Sequence, residues 1–168
     1  MTMKSMQELT DIHDIQQVLL LYAVALDSRA LDLLAQVFVP DARIEIPGVG
    51  TVDLAGYQAA CTAGLGALDA TQHVVGAPLL RIDGDVAHAR SYLVAQHVMN
   101  AAAPEATLLI GAWYNDELTR RPEGWRITAR TGNAVWWSGN ASILGMAGVP
   151  NAFPRQAGHE APAWLASG

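Results

Sequence analysis

The sequence is short of cysteine and of long hydrophobic runs. Among its 168 residues there is one cysteine, Cys61, which excludes a disulfide framework and a cysteine-rich zinc site. The longest apolar runs, such as residues 18–21, are far too short to cross a bilayer. The N-terminus shows no apolar segment of the secretory kind. We therefore expect a cytoplasmic protein with no membrane partner.

Charge is also scarce. Charged residues make up 15% of the chain and the formal net charge is −6, while Lys and Arg form no stripe, so nucleic acid is not an expected partner. Hydrophobic residues make up 51%, which excludes a disordered chain, and the length fits one domain. So little charge favours apolar surface hidden in a homo-oligomer.

Motifs for common cofactors and nucleophiles are missing as well. No Gly-x-Gly-x-x-Gly loop follows a strand, no His-Glu-x-x-His sequence offers metal ligands, and no Gly-x-Ser-x-Gly sequence offers a serine nucleophile. We therefore expect neither a cofactor nor a bound metal.

The apolar pattern places helices first and long strands afterwards. A stripe at steps of three or four residues predicts a helix over 8–28, followed by helices over 30–38, ended by Pro40, and 54–67. Alternation and turn sequences predict strands, namely 43–46, 51–53, 72–82, 85–99, 106–119 and 125–137. This order indicates an α+β fold in which a curved antiparallel sheet packs on three N-terminal helices.

We expect one domain over residues 1–140 and an irregular tail over 141–168. The tail is rich in Gly, Ala and Pro, with a short helix expected near Ala141. It could form a lid over a pocket, with Met146 or Phe153 at the ligand.

One face of the long strand over 85–99 carries small side chains. That face holds Ala87, Ala89, Ser91, Leu93, Ala95, His97 and Met99. Small side chains on a buried face leave room, which predicts a pocket between sheet and helices. Bulky helix residues that fill the space are the alternative.

Asp27 and His73 are the first candidates for chemistry. A carboxylate at a helix C-terminus is electrostatically disfavoured, so Asp27 either caps the next helix or has another purpose. His73 lies at the entry of a strand, where a histidine taken by itself is more often structural than catalytic. Together, a neutral imidazole can act as a base near pH 7 while a carboxylate fixes its tautomer. Such a dyad would take a proton from a substrate or activate water.

Tyr22, Arg130 and Trp113 are further candidates. The Tyr22 phenol could donate to a carbonyl or a leaving oxygen, or it could simply pack in the core. Arg130 could stabilise a departing anion or form an ion pair on the outer sheet face. Trp113 could form an aromatic wall of the pocket or belong to the core or an interface.

Four segments carry a resemblance to a known family: residues 15–27, 71–73, 82–92 and 114–127. Their order and spacing resemble the SnoaL-like branch of the nuclear-transport-factor-2-like superfamily, over about residues 8–140. The resemblance implies a cone-shaped, cystatin-like α+β fold and a homotrimer packed through the outer sheet face, with a dimer as the alternative.

Asp27 and His73 match the Asp–His pair of scytalone dehydratase, hexachlorocyclohexane dehydrochlorinase and bile-acid 7α-dehydratase. The rest of the pocket matches none of these fully. Arg130 matches the pocket arginine of the dehydrochlorinase, whose lysine corresponds to Tyr22. The bile-acid enzyme matches at Tyr22, but its strand aspartate falls near Ala95.

The scytalone dehydratase pattern differs at other positions. Its second pocket histidine falls near His97, and its tyrosine next to the aspartate is replaced by Leu26. Its pocket serine and asparagine fall at Ala112 and Tyr114.

The resemblance implies cofactor-independent β-elimination of water or another small group from a small apolar or aromatic ring compound. His73 would take the proton, Asp27 would orient His73, and a third group would assist the leaving group or an oxyanion. The assisting candidates are Tyr22, Arg130 and His97, and the substrate contacts are Leu26, Leu93, Ala95, His97, Ala112, Trp113 and Tyr114. An isomerase or polyketide-type cyclase with the same dyad, and a non-catalytic binding protein, stay open as alternatives.

Overall fold

Helices and strands follow one another in the order that the sequence predicts. The computed structural model describes residues 4–148 and 160–166. The helices are α1 (Met6–Asp27), α2 (Leu54–Gly66) and α3 (Ala163–Ala166), with 3₁₀ helices at Leu31–Gln36 and Ala141–Leu144. The strands are β1 (Phe38–Ile46), β2 (Gly50–Val52), β3 (Ala70–Val75), β4 (Leu79–Asp83), β5 (Val86–Val98), β6 (Thr107–Arg121) and β7 (Gly124–Gly139). Within those two ranges, no helix is both long and apolar enough to cross a membrane.

Helix α1 begins at a capping box and ends against the sheet. The Ser5 hydroxyl accepts a hydrogen bond from the Glu8 backbone N–H, and the Glu8 carboxylate accepts one from the Ser5 backbone N–H. This pairing satisfies two N–H groups that a helix N-terminus leaves without partners. The apolar stripe from Ile15 to Leu26 is buried, so the last turn lies against the sheet and Asp27 is carried to its edge.

The seven strands form one open, mixed sheet. The strand order is β2-β1-β7-β6-β5-β3, and β4 pairs with the part of β5 that β3 does not reach. All neighbours are antiparallel except β1 and β7, which run parallel. The expected antiparallel sheet is therefore confirmed except at this one parallel pair. No hairpin joins β1 to β7, so no tight turn forces them to be antiparallel.

The region predicted as one strand over 72–82 is two strands, β3 and β4. The chain leaves the ladder after the Gly76 N–H donates to the Tyr92 carbonyl at 2.8 Å. Pro78 has no N–H to continue the ladder, and it restricts the residue before it to extended conformations. Both strands then pair with the same edge of β5.

Pro40 lies inside β1 instead of ending a helix. The 3₁₀ helix stops at Gln36, and the ladder between β1 and β7 is irregular between Phe38 and Arg43. Proline has no backbone N–H to donate to a neighbouring strand. It is tolerated here because the β1–β7 ladder is interrupted at this position and no N–H is needed.

The two faces of β5 differ as the alternation predicts. Tyr92 is 63% exposed on the outer face, whereas the inner face is buried. The buried inner residues are Ala87, Ala89, Ser91, Leu93, Ala95 and His97. Because most of these side chains are small, they leave space beneath the helices.

A buried carboxylate ties α1 to the hairpin between β6 and β7. Asp11 accepts hydrogen bonds from the Arg120 guanidinium through both oxygens, and from the Trp125 indole N–H at 3.2 Å. These hydrogen bonds, Arg120 first, outweigh burial and lower the pKa of Asp11 to about 2.

We expect Asp11→Ala to lower the free energy of unfolding by about 1–3 kcal/mol, because the buried Trp125 N–H would lose its acceptor. The depressed pKa makes this stabilisation complete above the pKa of an unfolded aspartate and lost as pH falls through about 2. Urea unfolding at neutral and at acid pH measures both effects. Glu45→Ala is the control, because it removes an exposed ion pair with Arg43 and should cost less than about 0.5 kcal/mol. Equal losses of unfolding free energy in Asp11→Ala and Glu45→Ala would contradict the prediction.

Candidate active site

A cavity of about 530 Å³ lies between the helices and the inner face of the sheet. Its walls are mostly apolar, and they include Leu26, Leu65, Leu93, Ala95, Ile110 and Ala112. Apart from Asn133 and the Cys61 thiol, its polar side chains fall into two groups: two histidines, His73 and His97, and three tyrosines, Tyr22, Tyr57 and Tyr114. The volume suits a small organic ligand, and so few polar groups would orient it.

Asp27 and His73 are in direct contact. The Nδ1 atom of His73 lies 2.7 Å from Oδ1 of Asp27, and the His73 backbone N–H donates to Oδ2 at 2.8 Å. The His73 side chain is 7% exposed and lines the cavity. A proton on Nδ1, shared with the carboxylate, leaves the lone pair on Nε2, where the ring can accept a second proton.

Asp27 does not serve as the cap of the following helix. The 3₁₀ helix is preceded by Ala30, with no side-chain hydrogen bond at its start. Instead, the Asp27 carboxylate accepts a further hydrogen bond from the Thr71 hydroxyl at 2.9 Å. All its hydrogen bonds therefore point to β3, which fixes the orientation of the His73 ring.

Arg29 supports this arrangement from a strained conformation. Its φ of 61° lies in the left-handed region, which is rare for a residue with a side chain. The guanidinium donates to the Thr71 hydroxyl at 3.1 Å and to the carbonyls of Leu26 at 3.3 Å and Leu68 at 3.2 Å. These contacts join the end of α1 to the segment that leads into β3. No sequence signal pointed to this role.

His97 lies edge-on to His73, with ring centroids 5.8 Å apart. Its Nδ1 atom is 3.4 Å from the carbonyl oxygen of Leu108. Burial, with a further contribution from the neighbouring His73, lowers the pKa of His97 to about 4. At neutral pH His97 is therefore an uncharged wall of the cavity.

The three tyrosine hydroxyls meet in one cluster. The Tyr22 oxygen lies 2.5 Å from that of Tyr57 and 3.1 Å from that of Tyr114. Burial raises the pKa of all three well above the ordinary value, so they remain neutral phenols. The guanidinium of Arg130 lies over the Tyr22 and Tyr114 rings, 4.2 Å and 4.1 Å from their centroids.

Arg130 lies on the side of the tyrosine rings that faces away from the cavity, and it is not one of the residues that line the cavity. It is fully buried and pairs with Asp116 through hydrogen bonds of 2.6 and 2.9 Å. Neither expectation for Arg130 describes this position, which is neither a pocket wall nor the outer face. The register of β6 and β7 shifts between Glu117 and Leu118, and this bulge brings Arg130 to the same buried face as Ile127.

Trp113 differs from the expectation of a pocket wall. It lies on the outer face of the sheet, where its ring is 5.8 Å from that of Tyr92. Its neighbours Ala112 and Tyr114 line the cavity. The other expected contacts line the cavity as well, namely Tyr22, Leu26, His73, Leu93, Ala95 and His97.

Sequence reasoning missed Tyr57 and Asn133, which both line the cavity. Tyr57 belongs to the buried stripe of α2 with Leu54, Cys61 and Leu65, so the helical spacing was a signal for it. The β6–β7 ladder has a second shift of register, between Gly111 and Ala112 of β6, and Asn133 lies on β7 close to it. Near this shift, alternation no longer predicts which face of the sheet a side chain occupies.

Among the tail residues that the structure describes, 141–148 and 160–166, Leu144 lines the cavity. Met146 is not among the lining residues, and Phe153 lies outside the described residues. The segment 160–166 rests on the outer face of the sheet, where Trp164 stacks on His88 with ring centroids 5.9 Å apart. This segment therefore lies away from the cavity that the tail was expected to cover.

Titratable groups are too dispersed for a metal site in the described part of the chain. Within residues 4–148 and 160–166, no three His, Cys, Asp or Glu side chains are grouped to hold a metal ion. Among the residues that line the cavity, the His73 imidazole can transfer a proton and the tyrosine hydroxyls can form hydrogen bonds.

We expect His97 to titrate with a midpoint near pH 4, because burial and the His73 ring oppose its positive charge, while Asp27 favours it only weakly. The imidazole C–H signals in NMR, assigned by their loss in His97→Gln, measure this midpoint. An unfolded histidine binds its proton near pH 6.5, so His97 lowers the stability of the fold as pH drops from there towards 4. A midpoint near 6.5 in the folded protein would contradict the prediction.

Known proteins share both the sequence pattern and the fold. The SnoaL-like domain family matches residues 7–131. An uncharacterized protein of Mycobacterium tuberculosis is 34% identical over 131 residues, which are 77% of this chain and 88% of that protein.

Two solved structures show the same fold. A proposed scytalone dehydratase of Novosphingobium aromaticivorans has a TM-score of 0.72 and 20% identity, over 88% of this chain and 94% of that chain. The hexachlorocyclohexane dehydrochlorinase of Novosphingobium barchaimii has a TM-score of 0.71 and 20% identity, over 85% of this chain and 97% of that chain. At these identities the likeness concerns the fold alone. The family match over most of the chain goes further: this protein belongs to the SnoaL-like domain family.

Proposed function

We propose that this protein is a cofactor-independent lyase that removes water or another small group from a small cyclic hydrophobic compound by β-elimination. The observation that carries the proposal is the 2.7 Å contact between Asp27 and His73 at the wall of an apolar cavity. The names of the two similar structures, a dehydratase and a dehydrochlorinase, both describe eliminations, which supports the same reaction class here.

His73 is the base in this mechanism. Its Nε2 atom takes a proton from a substrate carbon, and the electron pair of that C–H bond forms a double bond as the leaving group departs from the next carbon. Asp27 keeps the ring in one tautomer and stabilises the imidazolium that forms. His97 is a poor alternative base, since burial lowers its pKa to about 4.

The apolar walls favour a hydrophobic substrate. Leu26, Leu93 and Ala112 offer no hydrogen-bond partner to a polar group of a ligand, so a hydrophobic ring fits them better than a charged molecule. A ring bound against these walls displaces water, which strengthens the interaction between the Asp27 carboxylate and the imidazolium.

We also propose that the protein works in the cytoplasm as a homo-oligomer, with a trimer favoured over a dimer. The exposed hydrophobic residues of the outer sheet face support this: Val74 at 58%, Val86 at 48% and Tyr92 at 63% exposure. Sedimentation equilibrium distinguishes the oligomers, and a monomer at all concentrations would contradict this part of the proposal.

His73→Ala and Asp27→Asn should each slow the elimination by about 10²–10⁴-fold, because one removes the base and the other its charged partner. The assay offers cyclic β-hydroxyketones and chlorinated cyclohexanes in parallel, and mass spectrometry detects the loss of water or of HCl. His88→Ala, on the outer face of the sheet, is the matched control and should retain full activity.

Thermal unfolding of each variant establishes that it is folded. A loss of less than about tenfold in both variants would remove the dyad from the mechanism, since general acid–base groups contribute more than that. A product of unchanged mass would instead indicate the isomerase or cyclase alternative, in which the dyad moves a proton and nothing leaves.

A further inference from the structure

We propose that Arg29 is a positioning residue for the proton transfer at His73, and that it acts through the hydroxyl of Thr71. The guanidinium fixes the direction of a chain of hydrogen bonds that runs from Arg29 through Thr71 and Asp27 to the ring of His73. This chain keeps the His73 proton on Nδ1 and leaves the lone pair on Nε2. The inference rests on the proposed elimination, because it names the residue that holds the base in its reactive form.

The type of residue at position 29 is the first argument. Arg29 lies directly after the C-cap of α1 with a φ of 61°, and every other residue with a positive φ in the described part of the chain is a glycine. Glycine adopts this conformation without a steric penalty, whereas a residue with a side chain is disfavoured there. An arginine at a position that suits glycine indicates that its side chain has a purpose.

The Arg29 guanidinium binds oxygen atoms from three segments of the chain. It donates to the carbonyl of Leu26 in the last turn of α1, to the carbonyl of Leu68 after the end of α2, and to the hydroxyl of Thr71 on β3. Neither Arg29 nor Thr71 is among the residues that line the cavity. Any effect of these two residues on the chemistry therefore passes through the dyad and not through contact with a ligand.

The direction of the hydrogen bonds follows from the chemistry of the groups. An arginine side chain can only donate, so the Thr71 oxygen accepts from Arg29 at 3.1 Å. A threonine hydroxyl has one proton, and Oδ1 of Asp27 lies within hydrogen-bond distance, at 2.9 Å from the Thr71 oxygen. The Thr71 proton is therefore directed at Asp27.

Asp27 is in this way surrounded by donors. Its Oδ1 atom accepts from the Thr71 hydroxyl, and its Oδ2 atom accepts from the His73 backbone N–H at 2.8 Å. An ionised carboxylate can only accept, so the proton in the 2.7 Å contact between Oδ1 and the His73 ring belongs to Nδ1. Thr71 holds the carboxylate in this orientation, and Arg29 holds the Thr71 hydroxyl.

Loss of the guanidinium would release this arrangement at two points. The Thr71 hydroxyl could rotate about its C–O bond and donate elsewhere, and the end of α1 would lose its link to Leu68. The Asp27 carboxylate could then turn away from Nδ1, which would allow the His73 tautomer with its proton on Nε2. In that tautomer Nε2 is a donor, so it cannot take a proton from a substrate.

The tautomer of His73 tests the inference without a substrate. Nitrogen-15 NMR distinguishes a ring nitrogen that carries a proton from one that carries a lone pair, and a spectrum at about pH 9 reports on a neutral imidazole. We expect the wild type to have its proton on Nδ1. In Arg29→Met and Thr71→Val the ratio of Nε2–H to Nδ1–H should rise at least about threefold, as the loss of one hydrogen bond allows.

Arg29→Gly separates the side chain from the backbone. Glycine suits the positive φ, so a residue that served only to end α1 could be replaced by glycine with no loss of stability and no change of tautomer. We expect instead that Arg29→Gly shows the same mixture of tautomers as Arg29→Met. Thr71→Ser, which keeps the hydroxyl, should retain the wild-type tautomer. Arg43→Met, which removes an exposed ion pair, is the matched control and should also retain it.

The elimination assay gives a second measurement on the same variants. Arg29→Gly and Arg29→Met should lower kcat about 10–100-fold, as the loss of a supporting hydrogen bond around a reactive group does. KM should change little, because Arg29 does not line the cavity. Arg43→Met should retain the wild-type kcat, since this side chain lies on the exposed part of β1.

Three results would overturn the inference: a mixture of tautomers in the wild type, the wild-type tautomer in folded Arg29→Gly and Arg29→Met, or an unchanged kcat in variants whose tautomers are mixed. Thermal unfolding identifies the folded variants, and if neither Arg29 variant folds, Thr71→Val decides because it breaks the same chain of hydrogen bonds.

Failure of this inference and failure of the proposed function are distinguishable. If the tautomer depends on Arg29 while neither substrate class is eliminated, the positioning role stands and the lyase proposal fails. If the wild type eliminates and the Arg29 variants do so at the same rate, the lyase proposal stands and the positioning role fails.

Discussion

The contact between the Asp27 carboxylate and β3 is the interaction on which the site depends. It joins the helical layer to the sheet through the backbone and ring of His73 and the hydroxyl of Thr71. A carboxylate at a helix C-terminus is unfavourable, and the left-handed Arg29 beside it adds backbone strain. Both features persist because the tertiary hydrogen bonds they permit outweigh the local cost. Such a conflict between local preference and final structure is typical of functional sites.

Burial determines which polar side chains of the cavity carry a proton at neutral pH. It holds His97 uncharged by lowering its pKa to about 4, and it holds the tyrosines protonated by raising theirs. At neutral pH the cavity therefore contains donors that keep their protons and one imidazole, that of His73, oriented to accept one. Asp116 keeps the charge of Arg130 on the far side of the rings, so the Arg130 guanidinium does not face an apolar ligand directly.

Local patterns were enough to predict α1, α2, the two faces of β5 and the space under its small residues, whereas the helix expected over 30–38 is a shorter 3₁₀ helix followed by β1. Asp27 and His73 were expected together through their resemblance to a family pattern. Alternation failed wherever the ladder is irregular, because one extra residue changes the face that each later side chain occupies. Arg130 follows such a bulge, and Pro78 interrupts the predicted strand, so neither position could be derived from spacing.

A base alone does not decide what an enzyme eliminates. In the proposed mechanism, removing a proton is the same task for His73 whether water, halide or nothing leaves, so proteins with the same dyad can differ in reaction. The difference arises where the displaced electrons go, and in this chain that region holds three phenols with a buried cation behind them. The tyrosines and the arginine at this end of the cavity come from α1, α2, β6 and β7, whereas the dyad joins the end of α1 to β3.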